Sequence, residues 1–280
     1  MAIRLIALDL DGTALRGHKE MSDYTGAAVR SALDAGILTV PATGRSYRDM
    51  PREVRALPVP WFITSNGANI IDGKTKEQIY SDLIPWERAV ELLRILEDFE
   101  VQPSVHIAGA SVNLRTADPR VAARYGNTDY FTRRSTDNLA DYVKERRQGA
   151  EKIFAIFFNE ETGRALRERI SLVEGVTVTA SGRDNIEINS ATATKGRALK
   201  FLQDRLGIAR EETAAVGDSR NDLSMLKASG LPIAMGNAEP ALKAISAHVC
   251  EDCDDDGAAR SILRILRGEW GPGEKISEKG

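Results

Sequence analysis

The sequence predicts an α/β protein in which a doubly wound parallel sheet is interrupted by an inserted α+β domain. Short continuous apolar runs recur along the chain, helical patterns separate them, and this alternation stops in the middle of the chain before it resumes. Continuous apolar runs are typical of strands that are buried on both faces. Strands that alternate with helices therefore predict a doubly wound, Rossmann-like core.

Five apolar runs are the candidate core strands. In chain order they are Ile3 to Leu8, Ile37 to Val40, Trp61 to Thr64, Thr213 to Val216 and Leu231 to Met235. Each run ends in a polar or glycine-rich cluster. In a parallel sheet, the carboxyl ends of the strands share the edge at which ligands bind. The sequence therefore predicts one polar site that is assembled from loops far apart along the chain.

Three helical patterns separate or follow these runs, and a glycine comes shortly after each. They are Ser22 to Ala35 with Gly36, Lys195 to Leu206 with Gly207, and Ala258 to Leu266 with Gly268. Glycine just past a helix is a common C-terminal stop.

The middle of the chain has a mixed pattern of helical and strand-like segments. We therefore expect the α/β core to comprise residues 1–83 and 190–270, the inserted α+β domain residues 84–189, and a flexible tail residues 271–280. Just before the insertion, Asp72-Gly73 between two strand-like runs predicts a hairpin.

Composition and charge argue against several classes of protein. The 280 residues have a net charge of -3, so no surplus of Lys and Arg exists to neutralise a nucleic-acid backbone. No apolar stretch approaches the ~18 residues of a transmembrane helix, and the apolar start reaches Asp9 too soon for a signal peptide. We expect a cytoplasmic protein without nucleic-acid or membrane partners. The oligomeric state stays open.

The two cysteines, Cys250 and Cys253, have the C-x-x-C spacing of some metal and redox sites. A structural zinc site needs four ligands, and no second cysteine pair or nearby pair of histidines supplies the others. We interpret the spacing as coincidence. The acidic run Asp252 to Asp256 lacks the spaced ligands of an EF-hand, so we expect a solvated loop there.

The first acidic cluster follows the first apolar run. Asp9 and Asp11 are alternate residues, so both can project towards the cleft at the sheet edge. One carboxylate can attack phosphorus while the other donates a proton to the leaving oxygen, which makes Asp9 the candidate nucleophile and Asp11 the candidate general acid and base. Gly12 allows close backbone approach, and Thr13 offers a hydroxyl to phosphoryl oxygens. Alone, this cluster is equally compatible with a turn and a helix cap.

A second acidic cluster favours the catalytic interpretation. Asp218 and Asp222 follow another candidate strand, at the same predicted edge. Neighbouring carboxylates repel each other and need a cation, and Mg²⁺ prefers oxygen ligands. Asp9, the backbone carbonyl of Asp11, and Asp218 are the candidate magnesium ligands. Asp222 is expected to orient them without touching the ion.

Other residues suit a phosphate group. Thr43-Gly44 offers a hydroxyl and backbone N–H groups at a strand-to-helix turn, and Lys195 offers a positive charge. Arg45 either pairs with the substrate or braces its loop, and the sequence does not choose. Asn189, where the chain returns from the insertion, is a candidate substrate contact.

Taken together, these segments resemble the haloacid dehalogenase superfamily. In order, they are Asp9-Leu10-Asp11-Gly12-Thr13, Thr43-Gly44-Arg45, Asn66-Gly67-Ala68, Lys195-Gly196 and Gly217-Asp218-Ser219-Arg220-Asn221-Asp222. More narrowly, the chain resembles the Cof-type phosphatases over nearly its whole length. The resemblance implies a large cap domain inserted between the second and third motifs and the roles given above for the aspartates. It also implies that Asn221 helps to hold the phosphoryl group.

The resemblance implies a magnesium-dependent phosphatase that acts on small phosphorylated metabolites. Sugar phosphates are the favoured class, followed by nucleotides or pyridoxal phosphate. A phosphomutase or phosphotransferase would use the same intermediate and stays open. A non-catalytic metabolite sensor would be expected to lack a nucleophile or a metal ligand, and none is missing here. The run Ser190 to Lys195 departs from the usual Pro-x-Gly-Val-Ser-Lys pattern but keeps its lysine.

Overall fold

The computed structural model describes residues 2–17, 19–121, 134–180 and 182–272. The chain divides into two compact units. The first consists of residues 1–80 and 194–280, and the second of residues 81–193. These limits lie a few residues from the predicted ends of the insertion, 84–189. Residues 273–280 of the predicted tail lie outside the described residues.

The strands and helices are numbered here in chain order. The strands are β1 (Leu5–Leu8), β2 (Leu38–Pro41), β3 (Trp61–Thr64), β4 (Asn69–Asp72), β5 (Gln78–Ser81), β6 (Val101–Ile107), β7 (Ala110–Leu114), β8 (Ser135–Thr136), β9 (Lys152–Phe157), β10 (Val176–Thr179), β11 (Asn185–Ser190), β12 (Thr213–Gly217), β13 (Leu231–Ala234) and β14 (His248–Val249). The helices are α1 (Asp23–Asp34), α2 (Arg52–Arg55), α3 (Trp86–Glu97), α4 (Leu139–Arg146), α5 (Glu160–Ser171), α6 (Lys195–Leu206), α7 (Leu223–Ala228), α8 (Pro240–Lys243) and α9 (Gly257–Leu266).

A five-stranded parallel sheet forms the centre of the first unit. Its strand order is β14-β13-β12-β1-β2, and each neighbouring pair is parallel. Every residue of β1, β12 and β13 is buried, as expected for strands with helices on both faces. The predicted α/β fold with a central parallel sheet is confirmed. The two-residue strand β14 is too short to give an apolar run and was not predicted.

Helix ends in the first unit follow their local sequence. Ser22 begins α1 by accepting a hydrogen bond from the Thr25 N–H at 3.0 Å, and Thr194 begins α6 by accepting one from Arg197 at 3.1 Å. Gly207 ends α6 with φ of 61°, a conformation that favours glycine. As a result, Lys195 is the first residue of α6.

The run 61–64 lies in a smaller sheet than predicted. It forms β3 of a three-stranded sheet in the order β3-β4-β5, and a single bridge between Ala42 and Ile63 links it to the parallel sheet. Its antiparallel pairing with β4 follows from the short turn 65–67, which sends the chain directly back along β3. The predicted hairpin strands are present as the neighbours β4 and β5.

The second unit is a mixed α+β structure. Its six-stranded sheet has the order β10-β11-β9-β6-β7-β8, and the β9 pairings to β6 and β11 are antiparallel. Apolar residues on one face pack with α3, α4 and α5 into a separate core, which includes Val105, Ile153, Ile186 and Leu166. Within the described residues, no helix is both long and apolar enough to cross a membrane.

The interpretation of residues 252–256 as a solvated loop is wrong at Asp256. Its carboxylate accepts hydrogen bonds from Arg16, from Ser22 at 2.6 Å and from Thr25 at 3.3 Å. Burial raises the pKa of Asp256, but the bonds from Ser22 and Arg16 outweigh it, so the pKa is lowered overall. Partners more than 230 residues away along the chain cannot be read from the local run of acidic residues.

Candidate active site

The polar clusters that follow the core strands meet within the first unit. Asp9 follows β1, Thr43 follows β2, and Asp218 follows β12, and these three strands are neighbours in one parallel sheet. Parallel strands place their carboxyl ends at the same edge, so the topology brings the three loops together. Lys195 joins them from the first turn of α6.

Asp9 and Lys195 form the buried centre of the site. The Lys195 ammonium donates to Asp9 Oδ1 and to Asp222 Oδ1, both at 2.6 Å. The Lys195 and Asp222 side chains are fully buried, and that of Asp9 is 4% exposed. Among the described residues, the second oxygen of Asp9, Oδ2, has no hydrogen-bond partner although it is buried.

Asp222 braces the loop that follows β12. Its Oδ2 accepts hydrogen bonds from the backbone N–H groups of Asp218 at 3.0 Å and Ser219 at 3.1 Å. Because its Oδ1 accepts from Lys195, both oxygens of Asp222 are already engaged. Asp222 therefore holds the Asp218 backbone and the Lys195 ammonium in place, whereas the carboxylate of Asp218 faces the site more openly.

The cluster has more negative than positive charge. One oxygen from each of Asp9, Asp218 and Asp222 lies within 4.8 Å of the others, whereas Lys195 supplies one positive charge to this group. Burial raises the pKa of Asp9 well above its ordinary value, and repulsion from Asp222 adds to the effect. Burial and then Asp222 raise the pKa of Asp218 to about 7. Burial alone would lower the pKa of Lys195, but attraction to Asp222 and Asp9 raises it overall.

These features fit a divalent cation. An oxygen of a buried carboxylate without a partner carries a desolvation cost, and two adjacent carboxylates with raised pKa values repel each other. A dication with oxygen ligands would relieve both effects, and Mg²⁺ commonly binds one or two carboxylates in such sites. Asp9 and Asp218 are the side chains that fit this role.

Gly12 lies where the loop after β1 approaches the loop after β12, and glycine is required there. Its φ is 77°, and a Cβ atom on it would lie 2.5 Å from Asp218 Oδ2. A larger residue would therefore push Asp218 out of place. The next residue, Thr13, donates from Oγ1 to Asp218 Oδ1 at 3.2 Å. Its hydroxyl thus donates to the predicted metal ligand, and the predicted contact with phosphoryl oxygens stays a prediction.

Asp11 is paired with Arg45. Arg45 donates from Nε to Asp11 Oδ2 at 2.8 Å and from Nη2 to Asp11 Oδ1 at 2.6 Å, and from Nη1 to the Asp49 carbonyl at 3.3 Å. The two side chains are 31% and 27% exposed, so this bidentate pair lies at the open side of the site. Arg45 thus binds the candidate acid-base residue Asp11 and the backbone of its own segment, and a contact between Arg45 and the substrate stays a prediction.

Thr43 lies at the floor of the site. It is fully buried, and its Oγ1 accepts a hydrogen bond from the Arg45 N–H at 3.1 Å, which fixes the turn that contains Gly44. The Thr43 backbone N–H donates to the Ile63 carbonyl of β3 at 2.9 Å. The first bond stabilises the predicted phosphate-binding turn itself, and the second connects it to β3.

Asn221 is held on both sides of its amide. Ser219 Oγ donates to its Oδ1 at 2.7 Å, and its Nδ2 donates to Asn66 Oδ1 at 3.1 Å. Sequence reasoning gave no role to Asn66, although it belongs to one of the quoted motifs. The motif itself was the available signal, but the contact joins residues 155 apart and only the fold reveals it.

Asn189 lies in the second unit, on β11. It is 1% exposed, and its Nδ2 donates to the Glu151 carbonyl at 2.9 Å. Glu151 directly precedes β9, which is the neighbour of β11 in the sheet. A substrate contact through Asn189 stays a prediction, and the structure gives this side chain a structural partner instead.

Comparisons with known proteins agree with this geometry. The sequence profile of the haloacid dehalogenase-like hydrolases matches residues 6–262. The phosphatase YwpJ of Bacillus subtilis is 32% identical over 288 residues, covering 94% of this chain and all of that protein. A 5-amino-6-(5-phospho-D-ribitylamino)uracil phosphatase of the same bacterium, YwtE, is 29% identical and covers 96% of this chain and all of that protein.

Solved structures show the same fold. A haloacid dehalogenase-like hydrolase from B. subtilis superimposes with a TM-score of 0.83 at 31% identity, covering 93% of this chain and 99% of that one. The family profile spans nearly the whole chain, and both halves of the acidic site lie inside it. The chain therefore belongs to the haloacid dehalogenase-like hydrolases and is a phosphoric monoester hydrolase of the Cof type.

Proposed function

We propose that this chain hydrolyses phosphate monoesters of small metabolites in a Mg²⁺-dependent reaction through an aspartyl-phosphate on Asp9, with sugar phosphates as the favoured substrates. The observation that carries this proposal is the buried Asp9 carboxylate, which has one oxygen bound by Lys195 at 2.6 Å and the other without a hydrogen-bond partner among the described residues. A carboxylate that is held in place and not fully engaged suits a nucleophile.

In the first half of the reaction, an oxygen of Asp9 attacks phosphorus and the bond from phosphorus to the ester oxygen breaks. Asp11 donates a proton to that leaving oxygen. In the second half, water attacks phosphorus, Asp11 accepts its proton, and the bond from phosphorus to Asp9 breaks to release inorganic phosphate. Asp11 acts in both halves, so its orientation affects the protonation of the leaving oxygen and the deprotonation of water.

The remaining residues bind and orient the phosphoryl group. Lys195, Asn221 and the Thr43-Gly44 turn supply the positive charge and hydrogen-bond donors that its oxygens need. Mg²⁺, held by Asp9, Asp218 and the Asp11 carbonyl, would screen the anionic nucleophile from the anionic substrate and stabilise charge on the transferring oxygens.

We assign the second unit the role of a substrate-specificity domain, on the basis of the family resemblance. The preference for sugar phosphates is supported by the relative YwtE, whose named substrate carries its phosphate on a ribityl chain. The fold and the catalytic motifs do not select a leaving group, so the preference for sugar phosphates rests on the relative and not on the site.

The test is release of inorganic phosphate from a panel of sugar phosphates, nucleotides, pyridoxal phosphate and p-nitrophenyl phosphate, with and without Mg²⁺. We expect Mg²⁺-dependent turnover, highest on a sugar phosphate, and a loss of about 10⁴-fold or more in Asp9→Asn. Asp204→Asn is the matched control, because this carboxylate is 65% exposed on α6 and lies outside the site. Turnover that survives in Asp9→Asn would refute the nucleophile, and formation of an isomeric ester without phosphate release would indicate a mutase.

A further inference from the structure

The turn after β3 has an unusual backbone. Ser65, Asn66 and Gly67 are consecutive, and all three have positive φ values of 50°, 60° and 92°. Ser65 and Asn66 are also buried. Left-handed conformations are uncommon for residues other than glycine and are found preferentially where surrounding structure imposes them, often at functional sites.

The surroundings explain why the chain adopts this turn. The backbone N–H of Ser65 donates to the Arg45 carbonyl at 2.9 Å, and that of Asn66 donates to the Thr43 carbonyl at 3.0 Å. A Cβ atom on Gly67 would lie 2.2 Å from the carbonyl oxygen of Thr194, the residue before Lys195. The turn is therefore packed between the Thr43 loop and the start of α6.

The Asn66 side chain extends this packing to a fourth segment. Its Oδ1 accepts from Asn221 Nδ2 at 3.1 Å, while Ser219 Oγ donates to Asn221 Oδ1 at 2.7 Å. A side-chain amide has an oxygen end that accepts and an NH₂ end that donates. The Ser219 hydroxyl can bond either end, because it both donates and accepts, so it does not by itself set the orientation of the Asn221 amide. In this arrangement Asn66 presents its oxygen, which accepts only from the NH₂ end of Asn221. The bond thus holds the Asn221 amide in the observed orientation.

We propose that Asn66 is a positioning residue for phosphoryl transfer: it fixes the Asn221 amide so that the second N–H of Asn221 Nδ2 is free to donate to the phosphoryl group. This inference rests on the proposed function, because it assigns Asn221 to the phosphoryl oxygens. Preorganised donors are effective because they need no reorientation when charge develops on those oxygens. Without the Asn66 acceptor, the Asn221 amide is free to flip and present its oxygen to the anionic group.

A purely structural explanation of Asn66 is available and makes a different prediction. Asn tolerates the left-handed conformation better than most residues, so this explanation assigns Asn66 a backbone role alone. Glycine tolerates that conformation at least as well and removes the amide. Asn66→Gly therefore keeps the backbone and deletes the positioning contact, whereas Asn66→Ala deletes the contact and strains the backbone as well.

The experiment compares these two variants with the wild type in phosphate release and in binding of orthovanadate in the presence of Mg²⁺. We expect both variants to lose about tenfold in kcat/KM and in orthovanadate affinity, the size of effect expected for one hydrogen bond. We expect thermal unfolding to shift further in Asn66→Ala than in Asn66→Gly, because alanine adds backbone strain to the lost contact. An Asn66→Gly variant that matches the wild type in both measurements would overturn the inference.

A double-mutant cycle tests whether Asn66 acts through Asn221. We expect Asn221→Ala to lose about 10²-fold in kcat/KM, and the further change Asn66→Gly to reduce it by no more than about twofold, since the contact is already gone. Additive losses would overturn the inference while leaving the proposed function intact. Wild-type protein that neither turns over phosphate esters nor binds orthovanadate would overturn the proposed function and this inference together.

Discussion

Each of the two units contains a buried lysine paired with carboxylate, and the pairs differ in charge balance. In the first unit, Lys195 donates to Asp9 and Asp222, and a third carboxylate, Asp218, lies in the same cluster. In the second unit, Lys152 donates to Glu187 at 3.0 Å, with side chains that are 5% and 3% exposed. The Lys195 cluster has an excess of negative charge, whereas the bond between Lys152 and Glu187 joins one charge of each sign.

The histidine beside Lys152 adds no positive charge to the pair. Burial lowers the pKa of His106 well below its ordinary value, and repulsion from Lys152 lowers it further, so this imidazole stays neutral and adds no charge. A balanced buried pair has a moderate cost, because each charge compensates the other. An unbalanced cluster costs more and is retained where the excess charge has a use, such as holding a cation. We therefore interpret the Lys152 pair as structural and propose that the Lys195 cluster is functional.

The largest expected effects come from removing each lysine in turn. We expect Lys195→Met to lower kcat by about 10²–10³-fold, because the nucleophile loses its fixed partner and the phosphoryl group loses a positive charge. Each substitution leaves buried carboxylate uncompensated, so we expect both Lys195→Met and Lys152→Met to lower the free energy of unfolding by about 3–5 kcal/mol without metal. Phosphate release and urea unfolding are the measurements.

Mg²⁺ distinguishes the two variants. We expect Mg²⁺ to stabilise Lys195→Met by more than it stabilises the wild type, because the dication then faces more unneutralised carboxylate. Lys152→Met is the matched control and should gain the same increment as the wild type. If Mg²⁺ stabilises all three proteins equally, the excess charge near Lys195 is not a cation site.

The next largest expected effect is that the stability of the metal-free protein depends on pH. Folding raises the pKa of Asp218 to about 7, so the folded state binds its proton more tightly than the unfolded chain does. The resulting stabilisation is present in full below the unfolded pKa of about 3.9 and is lost as pH rises through about 7. We therefore expect the metal-free protein to be more stable at pH of about 5 than at pH of about 8, by urea unfolding.

Mg²⁺ should reverse this trend at the higher pH. The cation binds the ionised carboxylates, and at 100 times its Kd it adds about 2.7 kcal/mol to the free energy of unfolding. At pH of about 5, protons compete with the metal and the gain should be smaller. Asp218→Asn removes one of the two carboxyl groups whose pKa is raised, the other being Asp9, and should make the metal-free dependence less steep. A slope that is unchanged in Asp218→Asn would assign the effect to other groups.

The sequence was sufficient to predict those features that depend on local patterns. Continuous apolar runs identified β1, β2 and β12, and the polar residues that follow them are brought together as parallel topology requires. Helix α6 has the predicted bounds, because a Thr cap and a left-handed glycine mark its two ends. The family motifs then placed Asp9 and Lys195 in one site before any distance was known.

Features that depend on contacts between distant segments were not predictable. Arg45 pairs with Asp11, and nothing in the Thr43-Gly44-Arg45 turn indicates that partner. The role of Asn66 depends on three left-handed residues and on a side chain 155 residues away. The hydrogen-bond donors of Asp256 are equally far from it along the chain. Local propensity does not encode such contacts, which form only when the tertiary structure does.

The smallest expected effect concerns the ion pair of Asp11 and Arg45. Unlike the two buried lysine pairs, this pair is partly exposed. If Arg45 holds Asp11 where it protonates the leaving oxygen, removing it should matter most for leaving groups that need a proton. We expect Arg45→Met to lower kcat/KM by about tenfold for a sugar phosphate and by about twofold or less for p-nitrophenyl phosphate. Arg48→Met is the matched control, because Arg48 is exposed on the same segment.

A series of substituted phenyl phosphates separates positioning from substrate binding. kcat/KM reports the steps up to formation of the phosphoenzyme, so it isolates the protonation of the leaving oxygen from the later hydrolysis. If Arg45 positions Asp11, kcat/KM in Arg45→Met should fall more steeply than in the wild type as the leaving-group pKa rises. A uniform loss across the series would instead assign Arg45 to direct contact with the substrate, because such a contact does not depend on how basic the leaving oxygen is.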